Sequence, residues 1–376
     1  MKPKFNFINA RLAGIKKSNL YRNLLDNKVS GPYIFIKGKK LVNLSSNDYL
    51  GLGYTKIASA QVQSSSRLVS GNDNLFKKLE TRLASHKRQE AALTFPTGYM
   101  ANLGIISILP QKDDLILSDE LNHASIIDSC RLSYAKKTIY KHNNMQDLEK
   151  KLRKDRRRKF VVTEGIFSMN GDFSKLKEIS ELCKKYSAFL ILDDAHGDFV
   201  AGTDGRGSAE YLGASKEIDV YISSLSKGLG SFGGYIASKK EVVELAINTS
   251  RPFIYTSALP NFLVQSALDK MSSNREQKRI KLWKNVHMMQ KGLELLGYHI
   301  DSQSQIIPVI IGDEKKAVEF GQYLSSNGIF AQPIRYPTVE LGSARIRISV
   351  TSWLTDDIIA RSLDIFEKAG KKFGIV

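Results

Sequence analysis

The chain has 376 residues, 42% of them hydrophobic and 25% charged, and 56 Lys and Arg against 38 Asp and Glu give a formal net charge of +18. That length holds a sizeable core, read as one large domain with a smaller companion, in a composition ordinary for a globular protein. No window approaches 18 consecutive apolar residues, which argues against a transmembrane helix, and MKPKFNFINARLAGIKKSN lacks the apolar core and cleavage site of a secretory leader.

Cytoplasmic residence is therefore expected. The basic excess favours anionic partners: nucleic acid, acidic lipid or phosphorylated small molecules. The densest run, KKLRKDRRRK at Lys150–Lys159, is read as a solvated helix face or loop, because no zinc-ligand spacing or aromatic nucleic-acid signature accompanies it. Neither a nucleic acid nor a membrane is expected as partner, and no metal site is indicated. Cys130 and Cys183 stand far apart in helix-like stretches and read as small buried hydrophobes.

In chain order, residues 7–25 read as a helix, followed by a turn at Ser30-Gly31-Pro32 and a hairpin of Tyr33–Ile36 and Lys40–Leu44 joined at Gly38. Helical periodicity returns at Asn74–Lys87 and after Thr97. Short apolar runs then alternate with helices: Leu115–Ser118, Phe160–Gly165, Phe189–Asp194, Val220–Ser226 and GYIAS. Such runs predict a largely parallel sheet covered on both faces, with ligands beyond the carboxyl ends of its strands. After SALP a long helical stretch (Asn261–Leu296), a strand (Ile306–Gly312), a helix (Lys315–Asn327), a strand (Ala344–Val350) and a final helix (Thr355–Gly370) read as a small α+β layer. The expected division is an N-terminal arm (1–42), a large α/β domain (43–260) and a small domain (261–376).

The polar residues of interest fall at the strand ends. Glu164 and Ser168 follow FVVTEG, Asp193 and His196 follow FLILDD, and Ser224, Ser226 and Lys227 follow VYISSL and lead into KGLGSFGG. Upstream, Thr97-Gly98-Tyr99 opens a helix, whose free amides and dipole suit a phosphate. A lysine beside open backbone suits Schiff-base chemistry, and a strand-end carboxylate can hold a heterocyclic nitrogen protonated. Lysine, aspartate and anion anchor together are the parts that pyridoxal phosphate requires.

These motifs also resemble a known family, the α-oxoamine synthases, pyridoxal-phosphate enzymes of the aspartate-aminotransferase fold (fold type I). The resemblance runs through NLSSNDYLGL at 43, SRLVSG at 66, FPTGYMAN at 95, DELNHASIIDSCRLS at 119, VVTEGIFSMNGD at 161, LDDAHGDFVAGTDGRGS at 192, SSLSKGLGSFGGY at 223 and PFIYTSALP at 252. Within the family, Pro333–Thr351 is most similar to the member that serves biotin synthesis. The resemblance implies that Lys227 binds the cofactor aldehyde and then acts as acid and base, and that Asp193 pairs with the ring nitrogen. His196 and Ser168 would bond the ring's phenolic side, while His123 would stack over the ring, although by chemistry alone such a histidine more often caps a helix or fills a core. Glu164 belongs to the same cofactor set; Gly98, Tyr99 and Ser224 would hold the phosphate, with Thr256 reaching in from a second subunit of a homodimer. Asn47, Arg335 and Thr338 would contact substrate, Arg22 a terminal carboxylate of the acyl chain, and Arg347 either substrate or nothing, as a strand-edge charge.

Phe76 stands where the family's His-x-x-Leu-Glu pattern begins, Tyr336 separates Arg335 from Pro337, and Thr351-Ser352-Trp353 replaces a usual Ala-x-His. None of these touches the cofactor core; those at the acyl end bear on acyl specificity. The implied activity is a decarboxylating C-acyl transfer that joins L-alanine to pimeloyl-CoA or a pimeloyl-carrier protein. Glycine with acetyl-CoA is the nearest alternative, and a non-catalytic scaffold or basic nucleic-acid binder is an alternative of another class.

Overall fold

The computed structural model describes residues 6–55 and 62–376, and these divide into two compact units. One gathers the chain up to Ser46, Met169–Gly171 and Ile280–Val376; the larger gathers Asn47–Ser168 and Asp172–Arg279. No helix of the described residues is long and apolar enough to cross a membrane.

The smaller unit opens with α1 (Asn6–Lys17), which buries no residue. The expected helix to residue 25 stops early because Asn19 takes the left-handed conformation (φ 57°), and its N–H and that of Leu20 close back on Lys16 and Ile15, an Asn-type helix stop. Three strands follow, β1 (Asn27–Ser30), β2 (Tyr33–Ile36) and β3 (Lys39–Asn43), with Gly38 (φ 76°) turning β2 into β3. The fully exposed β1 carries no apolar alternation, so its sequence gave no strand signal.

The larger unit is built on a seven-stranded sheet. Its elements are α2 (Asn74–Lys87), β4 (Ala91–Phe95), α3 (Gly98–Ile106), β5 (Leu115–Asp119), α4 (Ala124–Leu132), β6 (Lys136–Tyr140), α5 (Met145–Leu152), β7 (Lys159–Glu164), α6 (Leu176–Lys185), β8 (Phe189–Asp193), α7 (Ser208–Tyr211), β9 (Val220–Ser224), β10 (Gly234–Ser238), α8 (Lys240–Thr249), α9 (Arg251–Ile254) and α10 (Asn261–Ser272). The strand order is β4-β10-β9-β8-β7-β5-β6, and β10 alone runs antiparallel to its neighbours. The short turn between β9 and β10 is the reason: a parallel return needs a crossover of a dozen or more residues. Leu93, Phe95, Ile116, Phe160, Val162, Ile191, Ile222 and Ile236 form a core with Ile105 and Ile126 from the helices over one face. Those unbroken apolar runs are what a strand covered on both faces demands. Strand β6, KKTIY, escaped the sequence reading because it is an edge strand, mostly exposed and guarded by Lys136 and Lys137.

The sequence reading ends the large domain at residue 260, whereas the larger unit keeps α10, which packs on α2 and buries Val264, Ala267 and Leu268. The long helix expected over 261–296 is interrupted after Ser272. Ser273 turns extended, the Lys270 carbonyl is taken by Ser273 Oγ and Arg275 Nη1, both at 2.7 Å, and Asn274 Oδ1 caps Glu276 N at 3.0 Å. Beyond it α11 (Glu276–Leu295), β11 (Ile306–Gly312), α12 (Glu314–Ser326), β12 (Ile329–Phe330), β13 (Pro333–Ile334), β14 (Ala344–Ser349) and α13 (Asp356–Phe373) complete the chain. Strands β11, β14 and β13 form one sheet, and β12 joins β3 in parallel.

Both cysteines are buried and unpaired, as their surroundings in the sequence suggested, and burial pushes the Cys130 thiol up to about 11. The basic run leaves α5 as an exposed loop at residues 153–157, while Arg158 turns in to pair with the buried Asp114 at 2.9 Å.

One polar clamp ties the loops above this sheet together. His142 lies 2.9 Å from Asp119 at the end of β5 and 2.7 Å from Asp172 in the loop after β7. Burial lowers the imidazole's affinity for a proton, but the two carboxylates outweigh it and push it up to about 9. A raised imidazole stabilises the fold fully below its unfolded value of about 6.5, and progressively less up to 9. Thermal unfolding of wild type and His142→Gln should therefore differ most at pH 6 and below, with the gap narrowing from pH 6.5 to 9; a pH-independent gap contradicts this.

Candidate active site

Strand register assembles the site in the larger unit. Glu164 and Asp193 are paired neighbours at the ends of β7 and β8, and Gly234 pairs with both Ser224 and Phe95, which levels the ends of β9 and β4. The chain leaving β4 then starts α3 beside β9. A Cβ on Gly98 would lie 3.1 Å from Ser224 Cβ, and one on Gly234 would lie 2.5 Å from the Gly98 backbone, so only glycine permits this approach. Thr97 caps α3, its hydroxyl accepting from Met100 N at 3.1 Å. That leaves the amides of Gly98 and Tyr99 without an intrahelical acceptor.

The result is a cavity of about 220 Å³ lined by Thr97, Gly98, Tyr99, Asn102, His123, Ser125, Glu164, Asp193, Ala195, His196, Ser223, Ser224, Ser226 and Lys227. That volume is below the roughly 300–1,000 Å³ of drug-sized sites and suits a single-ring ligand. Asp193 is held from two sides: Asn102 Nδ2 donates to one carboxylate oxygen at 2.6 Å and Ala195 N to the other at 2.9 Å. A carboxylate offers about four acceptor positions, so acceptor capacity remains for a ring N–H. Lys227 Nζ is 2.8 Å from His196 Nε2, and His196 Nδ1 is 2.7 Å from the Tyr49 hydroxyl. Ser224 and Ser226 hydroxyls meet at 2.8 Å.

Charge in the cavity is sparse. Burial, with the Asp193 charge behind it, pushes the Glu164 carboxyl well above its ordinary range, which favours the neutral acid. Burial also lowers His123, and nearby Lys227 adds to the effect while Asp193 opposes it. Burial thus favours the neutral imidazole at His123. Its Nδ1 accepts from Ser125 N at 3.2 Å and caps α4, the helix-capping role its chemistry suggested, and the residue also lines the cavity.

Of the residues expected here, Gly98, Tyr99, His123, Glu164, Asp193, His196, Ser224 and Lys227 come together. Ser168 is buried in the loop after β7 and is not among the lining residues; Thr256 also lies outside, its hydroxyl donating to Pro252 O at 3.0 Å. Asn47 accepts from the Tyr49 hydroxyl at 3.1 Å. Arg22, Arg335, Thr338 and Arg347 belong to the smaller unit. There Arg335 donates to Asn19 O, and burial, then the charge of Arg22, lowers its guanidinium from the usual value. Arg347 sits buried on β14, the middle strand of its sheet, which removes the strand-edge reading; its Nη1 donates to Ser349 Oγ at 2.7 Å. Sequence reasoning passed over Asn102 and Tyr49. Asn102 was legible in principle, four residues after Gly98 on one helix face. Tyr49 carried no local signal, being fully buried and 147 positions from its partner.

These residues fit pyridoxal phosphate. The cavity has single-ring size, a glycine-lined helix start and two hydroxyls for an anion, a carboxylate with spare acceptor positions and an amine. Asn102 Oδ1 is also buried with no partner among the described residues.

Beneath the site lies a second, fully buried charge set. Lys87 Nζ reaches Asp194 at 3.0 Å, Asp198 at 2.7 Å and the Arg206 carbonyl at 2.6 Å. His86 and the Tyr235 hydroxyl reach Asp198 at 2.9 Å and 2.5 Å. Burial opposes charge on Lys87, but Asp198 and Asp194 outweigh it and hold the ammonium above its usual range. The same pairing overcomes burial at Asp198 and holds that carboxyl below its usual range. The network brackets the turn that carries Asp193 and His196.

A family model described as aminotransferase class I and II matches residues 39–365. The chain is 43% identical to an 8-amino-7-oxononanoate synthase of Thermoanaerobacter pseudethanolicus, over 99% of this chain and 98% of that protein. It is 40% identical to 8-amino-7-oxononanoate synthase 2 of Bacillus subtilis, over 99% of each. Among solved structures, a serine palmitoyltransferase from S. paucimobilis with a bound PLP–myriocin aldimine superposes with a TM-score of 0.92 at 29% identity, over 99% of both chains. An 8-amino-7-oxononanoate synthase from Francisella tularensis superposes with a TM-score of 0.74 at 27% identity, over 89% of this chain and 99% of that one.

The buried pairing has its own test. Lys87→Met leaves Asp194 and Asp198 without their cation and should lower unfolding free energy by about 3–5 kcal/mol in a denaturant titration; a loss below about 1 kcal/mol contradicts the assigned charges.

Proposed function

The chain belongs to the aminotransferase class I and II family, and from that premise we infer a decarboxylating C-acyl transfer, the step of biotin biosynthesis that makes 8-amino-7-oxononanoate. L-Alanine is condensed with a pimeloyl thioester of coenzyme A or a carrier protein, and CO2 and the thiol are released. One observation carries the reading: an amine, a carboxylate and an anion-accepting helix start share a single-ring cavity. Its setting is a chain 35–43% identical to synthases of that name over at least 92% of its length.

When bound, pyridoxal 5′-phosphate supplies an electron sink for charge at the substrate Cα. Asp193, oriented by Asn102 and the Ala195 amide, keeps the ring nitrogen protonated. The Gly98 and Tyr99 amides with Ser224 take the phosphate, joined by Thr256 from a second copy in a homodimer. His123, whose burial favours the neutral imidazole, would lie against the ring. Lys227 Nζ removes the Cα proton of alanine, and that carbon attacks the thioester carbonyl and expels the thiol. After CO2 leaves, Lys227 hands the proton back. His196 bonds the ring's phenolic oxygen, in a neighbourhood that includes Ser168. Arg335, Thr338, Asn47 and Arg347 contact substrate, an arginine being the bidentate partner for a carboxylate, and Arg22 meets the far end of the acyl chain. The enzyme works in the cytoplasm.

Lys227→Ala should abolish both turnover and the visible absorption band that pyridoxal phosphate gives the wild type; retained turnover removes Lys227 from the chemistry. Product formation from alanine with pimeloyl-CoA should exceed that from glycine with acetyl-CoA by at least about 100-fold, the scale a methyl-sized and chain-length mismatch together reach. The reverse preference would reassign the substrates.

A further inference from the structure

One buried lysine has no part in the chemistry above. Lys270 stands in the last turn of α10 and is 8% exposed. Its Nζ donates to the Gly230 carbonyl at 2.5 Å and to Thr55 Oγ1 at 2.9 Å. Burial lowers its affinity for a proton, against the pull of Asp48. Such an amine is costly to bury unless hydrogen bonds serve it, and one of its bonds falls on the loop that carries Lys227. We propose that Lys270 is a positioning residue, which fixes the direction of the Gly230 carbonyl and through it the turn that presents Lys227.

The loop itself supplies the link. Leu225 N donates to Gly233 O at 2.9 Å and Leu225 O accepts from Ser231 N at 2.8 Å, which pins both ends of residues 225–233. Inside that span Gly230 N donates to Lys227 O at 3.0 Å and closes a four-residue turn. Gly230 takes φ 62°, and a Cβ there would lie 2.7 Å from Leu52 C and from Gly53 N, so the turn is pressed against backbone through a glycine. The Gly230 carbonyl and the Ser231 N–H are opposite ends of one rigid peptide plane. The amine that holds the first end therefore also keeps the second aimed at Leu225 O. Glycine offers little resistance of its own to rotation of that plane. Ser231 Oγ donates to Leu263 O at 3.2 Å, a separate tether to α10 that keeps the loop in place when Lys270 is replaced. A cavity of about 440 Å³, lined by Lys270, Thr55 and Gln265 among others, adjoins the amine. Water from it can solvate a freed carbonyl but fixes no direction. The expected effect is thus that of one net hydrogen bond, about fivefold to tenfold.

This inference rests on the assignment of Lys227 as the reactive amine, and its test separates the two. Full-length Lys270→Cys protein is alkylated in parallel with bromoethylamine, which restores an amine at the length of lysine, and with n-propyl bromide, which puts a methyl group where that amine stood. The native Cys130 and Cys183 are buried and burial pushes their thiols up, so the modification falls at position 270, as mass spectrometry verifies. Hydrogen exchange of the cofactor-free protein reads the Ser231 amide, which should exchange about fivefold to tenfold faster in the propyl form than in the aminoethyl form. The kcat of the loaded enzyme should be lower in the propyl form by a similar factor, with KM for alanine unchanged. Lys270→Met needs no alkylation and should match the propyl form in both readouts. A side chain that only fills space predicts no difference between the two adducts. Equal exchange and equal kcat, or faster exchange that leaves kcat untouched, overturns the Lys270 assignment alone. Failure of wild type to form the visible pyridoxal-phosphate band overturns the functional reading instead.

Discussion

The site depends on one carboxylate that cannot swing. Asp193 ends a buried strand, receives a side-chain amide on one oxygen and a backbone amide on the other, and is 6% exposed. A buried charge is costly unless its hydrogen bonds are arranged for it. Here that arrangement fixes the direction in which the remaining acceptor positions point. Lys227 lines the same cavity from the end of the next strand, where burial pushes the Glu164 carboxyl up and the His123 imidazole down. In such surroundings a charge counts for more than it does in water.

The frame beneath is built to resist displacement. Strand register brings Phe95, Gly234 and Ser224 level, and two glycines let the start of α3 approach β9 closely. On the far side of the Asp193–Asp198 turn, Lys87 is sealed between two carboxylates and a carbonyl. Removing that cation would leave two buried carboxylates side by side. The turn thus has a hydrogen-bonded site above it and a paired charge set below, which leaves it little freedom.

Much of this was legible in the sequence because the physics is local. The buried strands announced themselves as unbroken apolar runs; Asn74–Lys87 falls where the pattern places it, and β7, β8 and β9 end one or two residues before the expected Gly165, Asp194 and Ser226. What escaped was set by tertiary context. The edge strand β6 is too polar to show a strand period, the reversed direction of β10 follows from turn length rather than composition, and α1 stops at a left-handed Asn19. At the site, residues at strand ends were found, whereas Tyr49 and the Asn102 contact to Asp193 depend on chain crossings that no local motif encodes. Ser168 and Thr256 were carried by family likeness, and this single chain does not bring either to the cavity wall.

The central claim is that Asp193 holds the ring nitrogen of the cofactor protonated. Nitrogen-15 spectra of the full-length enzyme loaded with ring-labelled pyridoxal phosphate test it directly. The account predicts a protonated pyridinium signal at pH 8 in wild type and its loss in Asp193→Asn. A bare ring nitrogen in wild type, or a signal indifferent to Asp193→Asn, would contradict it.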